Sequence, residues 1–107
     1  MSERPKALEK MAKRVIEGYE AVHEKKYDKA RETLEPIKPF LHQEEQPNVK
    51  FLSYLAIAQI GSKAIDDFLK TYEELQTFKG KNDQEEKLKA RVDEMFVELM
   101  EAMNEKS

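Results

Sequence analysis

Cysteine is absent from this chain, which excludes disulfides, thiolate nucleophiles and cysteine-ligated zinc together. Glycine and proline are scarce, three and four residues in 107, too little punctuation for a many-turned sheet protein. Histidine occurs only at His23 and His42, which leaves little for a metal centre or a proton relay. No apolar run approaches the roughly 20 residues that cross a bilayer, and Met1 to Lys6 hold no apolar signal core. A soluble cytoplasmic protein with no membrane partner is expected. A basic excess is also missing. Residues 1–47 carry ten Lys/Arg against ten Asp/Glu, and residues 48–107 carry nine against twelve, which supplies the whole net charge of −3. That balance argues against general nucleic-acid binding.

What is present is helical periodicity. Charged and hydrophobic residues stand almost equal at 38% and 39%, and the apolar ones recur at three- and four-residue steps rather than at random. From Pro5, which suits a first helical turn, Leu8, Met11, Ala12, Val15, Ile16, Tyr19 and Val22 form one stripe. Lys6, Lys10, Lys13, Arg14 and Glu17 lie opposite. Asp28 is placed to cap a second helix, which Pro36 and Pro39 should break near Glu35. The polar stretch 42–47 reads as the longest loop, and Asn48 caps a third helix with almost no polar face. Gly61 is expected to end it in a left-handed conformation, and Ser62 to cap a fourth. Asp83 with Glu86 makes a capping-box variant for a fifth. Leu88, Val92, Met95, Leu99 and Ala102 then repeat as a seam, broadened by Phe96, Met100 and Met103. The spacing predicts five antiparallel helices near residues 5–24, 28–42 (interrupted at Pro36), 48–60, 62–79 and 83–104, in one all-α domain spanning 1–107.

Gly18-Tyr19-Glu20-Ala21, then Tyr27-Asp28-Lys29-Ala30, then Leu34 and Ile37, resemble one tetratricopeptide repeat. In that family a small residue of the first helix lets the second pack closely, and an aromatic-Asp-x-x-Ala turn starts the second helix. A degenerate second copy follows in Leu52, Leu55, Gly61, Ala64 and Phe68, without the aromatic-Asp signature. The resemblance covers roughly residues 11–79, with the fifth helix as a capping helix. It implies either repeat-like helical hairpins or a compact helical bundle, and a role in binding another protein or peptide. Pro36 and the long 42–47 loop depart from the repeat pattern. Members that grip a C-terminal carboxylate use Lys and Asn on the first helices; the corresponding positions here are Val15 and Tyr19, so that activity does not transfer.

The residues that could carry chemistry have plainer readings. Glu20-x-x-His23 has the spacing of di-iron ligands, but such sites need two such pairs and two further carboxylates. His42-x-x-Glu45 falls in the predicted loop. Asp66-Asp67 and Glu73-Glu74 are adjacent pairs that diverge by about 100° on a helix, so neither converges on one substrate atom. Ser53 and Ser62 have no local base, and no glycine-rich phosphate loop exists. A helix-turn-helix reading of residues 58–69 fails because Asp66 and Asp67 would repel phosphates.

Two surfaces remain as partner-binding candidates. One is the basic stripe Lys6, Lys10, Lys13 and Arg14, which places its charge against the helix dipole's preference. The other is the soft apolar surface of Phe96, Met100 and Met103. The leading expectation is a non-catalytic protein–protein interaction module or adaptor, with no cofactor and no metal. It binds another protein or peptide, or joins as a homodimer through the last helix. The alternative is a small regulator or inhibitor of a nucleic-acid-associated complex that uses the basic stripe.

Overall fold

The computed structural model describes residues 6–105, without the side chains of Ala7, Leu8 and Glu105. The expected helix start at Pro5 and the Leu8 position of the first stripe lie outside the described residues. The chain is all-α. The elements are α1 (Lys6–His23), α2 (Tyr27–Leu34), a 3-10 turn (Glu35–Ile37), α3 (Lys38–Leu41), α4 (Val49–Gly61), α5 (Ile65–Leu75) and α6 (Asp83–Glu105). The 3-10 turn begins at Glu35, where the prolines were expected to interrupt the second helix. Pro36 stands at the start of that turn and Pro39 in the first turn of α3. A missing N–H costs no helical hydrogen bond at such positions.

Helix α4 is the axis of the fold. Every residue from Phe51 to Gln59 is buried, Leu55 to 1% exposure, as expected for a helix without a polar face. The Asn48 side chain accepts a hydrogen bond from the Phe51 amide at 3.0 Å, the cap read from the sequence. Around α4 pack α2, α5 and α6, with α1 reaching it through Tyr19, whose ring stacks on Tyr54 at 4.0 Å. Residues Tyr19 and His23 of α1 both meet Tyr54, and Lys50 lies over the Tyr19 ring. Helix α1 therefore runs in the same direction as α4. Leu99 of α6 lies beside Ile60 and Gly61, the end of α4, while Glu85, in the first turn of α6, lies near enough to Tyr19 to act on its hydroxyl. So α6 also runs with α4, and α1 and α6 are parallel within the chain.

Two glycines set how closely these helices approach. A Cβ at Gly18 would overlap the fully buried Leu34 side chain, and one at Gly61 would overlap the Tyr27 ring. Gly61 therefore serves packing and remains helical, with no positive φ at any glycine among the described residues. The left-handed position expected there falls instead at Lys63 (φ 68°), where the Ala64 amide bonds to the Gln59 carbonyl at 2.8 Å and the Lys63 amide to that of Ile60 at 3.1 Å. Lys25 (φ 63°) closes α1 in the same way. Both are Schellman-type ends with lysine where glycine is common.

Several boundaries differ from expectation by one turn or less. Ser62 caps the end of α4, donating its hydroxyl to Gln59, rather than the start of α5. Helix α2 begins at Tyr27, before Asp28, with no side-chain cap. Asn82 rather than Asp83 caps α6, accepting from the Glu85 amide at 2.9 Å. Helix α5 ends at Leu75, and Phe78 lies in the following turn with its ring edge-on to His42. Ile16 was expected inside and is 57% exposed. It directly follows Val15, the half-buried centre of the stripe, and so points about 100° away from it.

Candidate functional site

The inner side of α6 is committed to the core. Val92 is fully buried, with Leu88, Met95 and Leu99 packed around it. Phe96, expected as a partner-binding residue, stacks on Tyr72 of α5 at 4.2 Å with the rings within 5° of parallel. The Tyr72 hydroxyl is held above its ordinary pKa by burial first, then by its hydrogen bond to Asp93. Phe96 is therefore an anchor between α5 and α6. Met100 is half-buried beside it.

Two separate parts of α6 are uncovered: the far end of its inner stripe, at Met103, and its outer side, at Val97. Met103 is 52% exposed and, with Ala102, Leu99, Ile65 and Lys63, lines an apolar groove of about 380 Å³ where α6 passes the start of α5. Val97 is 53% exposed and stands among Asp93, Glu94 and Glu98. The sequence reading passed over Val97, because it follows Phe96 directly and falls off the seam. Acidic residues dominate this end: between Val92 and Glu105 there are Asp93, Glu94, Glu98, Glu101 and Glu105, and no Lys or Arg.

The other expected partner-binding residues, Lys6, Lys10, Lys13 and Arg14, are exposed along α1. Among the described residues the ion pairs join other groups, such as Lys38 with Glu74 and Arg91 with Glu94. The basic stripe and the α6 surface do not come together in the chain. Tyr19 lies level with Lys50–Tyr54 on α4 and Leu99 with Gly61. At 1.5 Å per residue, Lys10 and Glu101 are on the order of 30 Å apart along the long axis, in a molecule 61 Å long.

A third feature joins residues far apart in sequence. In the cleft between α3 and α5, the Glu74 carboxylate accepts from Lys38 Nζ at 2.7 Å with one oxygen and lies 2.9 Å from His42 Nε2 with the other. The Asn48 amide donates to His42 Nδ1 at 3.0 Å, which puts the imidazole proton on Nε2 and makes a neutral ring that donates to Glu74. Burial pushes the Glu74 carboxyl up, but the hydrogen bond and charge of Lys38, with the hydrogen bond from His42, outweigh it and leave its pKa lowered. The three groups satisfy one another and pin the 42–48 loop across the start of α4. The cleft holds about 630 Å³ and opens beside Lys70, Glu73 and Phe78. His23, the other histidine, sits 2.9 Å from the Tyr54 hydroxyl. Among the described residues, no three His, Asp or Glu side chains are grouped to hold a metal ion, and no helix is long and apolar enough to cross a membrane.

Compared with known protein families, with characterised proteins and with solved structures, the chain shows no match.

Proposed function

We propose that this chain is a non-catalytic protein–protein interaction module, an adaptor that presents the outer face of α6 to another protein or peptide in the cytoplasm. The observation that carries the reading is the contrast between Phe96 and its neighbour Val97. One is stacked into the core, while the other stands half exposed within an acidic rim. The apolar groove at Met103, at the far end of the same helix, adds a second uncovered apolar site. The tetratricopeptide-like reading gains support from Ala30, which is fully buried, and from the close approach of Gly18 to Leu34. The α1–α2 hairpin of such a repeat requires both.

The test compares immobilised wild-type chain with a Val97→Glu, Met103→Glu variant in native lysate. The reading expects a partner recovered by the first and lost by the second, with equal thermal melts. Equal recovery by both would place the partner elsewhere on the surface.

The exposed basic stripe supports a second reading, a small regulator or inhibitor of a nucleic-acid-associated complex. Fluorescence anisotropy with a duplex and a single-stranded oligonucleotide separates the two, because phosphate binding weakens steeply as salt rises.

A further inference from the structure

Helices α1 and α6 carry charge patterns whose signs are complementary when one is read in reverse. On α1, Lys6, Lys10 and Lys13 follow at steps of four and three residues, and the sign then changes at Glu17. On α6, Arg91 comes first, and Glu94, Glu98 and Glu101 follow it at steps of three, four and three. Each set occupies one stripe of its helix, and all eight side chains are exposed. Laid antiparallel, the stripes pair opposite charges to within one residue, about 1.5 Å, at each position: Lys6 with Glu101, Lys10 with Glu98, Lys13 with Glu94 and Glu17 with Arg91. Glu9 is the one acid on the flank of the basic half.

Within one chain this match cannot form. The two helices run parallel, and the basic half of one lies far along the molecule from the acidic half of the other. Each helix also holds its charge against its own dipole, cations at the N-terminal turns of α1 and anions at the C-terminal turns of α6. An antiparallel neighbour relieves both at once. The exposed apolar residues fit the same seam. Ile16 flanks the α1 stripe and Val97 the α6 stripe, and in the antiparallel register both fall along one edge of the contact.

We propose that the outer face of α6 docks α1 of a second copy of this chain, antiparallel and in that register. In the proposed assembly a two-fold axis across the helices makes the contact twice and closes a dimer. The inference rests on the reading of the α6 face as a binding surface and names its occupant.

Two variants test it: Lys6→Glu with Lys10→Glu, and Glu98→Lys with Glu101→Lys. Each alone sets like charges against each other and should weaken dimerisation by about tenfold or more. An equimolar mixture restores opposite charges at both contacts and should recover dimer, read by sedimentation velocity over a concentration series. Raising salt from about 50 to about 500 mM should weaken the wild-type dimer, because exposed charges are screened. Unchanged melts by circular dichroism would show that folding is intact. A wild-type chain that stays monomeric throughout, or a mixture no more associated than its parts, would overturn the proposal. The interaction-module reading would then be judged separately by the Val97→Glu, Met103→Glu capture.

Discussion

The ring of Tyr27 lies against the backbone of Gly61 so closely that a methyl group there would overlap three ring carbons. This contact ties the start of α2 to the end of α4 and gives Gly61 its role. Alanine is favoured over glycine inside a helix by about 1 kcal/mol, but forcing volume into a filled contact costs about 1–3 kcal/mol. Gly61→Ala should therefore destabilise on balance, measured by urea unfolding. Combining it with Tyr27→Leu should cost less than the two singly, because the pair shares one contact.

The buried axis makes a sharper demand. Leu55→Asp places an unpaired charge in the core, at a cost of several kcal/mol, comparable with the whole stability of a domain. The variant should fail to fold cooperatively by circular dichroism. Ala30 is fully buried, and Ala30→Leu should cost about 1–3 kcal/mol by overpacking. A neutral Ala30→Leu would remove the main support for a repeat-like α1–α2 hairpin.

Lys63 holds a left-handed backbone that an L side chain adopts at a cost of roughly 1–2 kcal/mol. Glycine avoids that cost and gives back part of the gain as unfolded-chain entropy. Lys63→Gly should raise stability by about 1 kcal/mol, seen as a higher melting temperature. The same change at Gln59, inside α4, should lower it.

The Glu74 cluster predicts an acid limb. Burial opposes the charged form, but Lys38 and His42 favour it more, so the folded pKa lies below the unfolded value. The associated stability is present above the ordinary carboxylate range and is lost as pH falls through the folded pKa. Glu74→Gln should lower stability at neutral pH and flatten the profile below about pH 5. At the alkaline end Tyr19 acts in the opposite sense. Burial first, then Tyr54 and Glu85, raise its pKa strongly. Its contribution is therefore present below the ordinary tyrosine range and lost as pH rises above it. Thermal melts across pH for wild type, Glu74→Gln and Tyr19→Phe check both limbs.

The helices were legible because their signals are local: three-to-four periodicity in most, and in α4 the almost wholly apolar 51–58 stretch, broken only by Ser53. The terminal residues were less so. Whether Gly61 or Lys63 takes the left-handed turn depends on Tyr27, 34 positions away from Gly61 in the chain, claiming the space over the glycine. The His42–Glu74 pair spans 32 positions, and no local pattern announces it. At the candidate site, Met103 was read as surface and stands half exposed, whereas Phe96 was absorbed by Tyr72. Val97 was missed because a seam drawn from apolar spacing has no place for a single apolar residue among acids. The charge match between α1 and α6 lay in the sequence, but its meaning required knowing that the two helices run parallel in the chain.

The outer face of α6 is the centre of the functional account, and Val97 is its most direct probe. Sedimentation velocity on wild type and Val97→Glu, over the same concentration series at low salt, decides the matter. The wild type should pass from monomer to dimer as concentration rises, while Val97→Glu remains monomeric with an unchanged melt. Identical sedimentation of the two at every concentration would contradict the account.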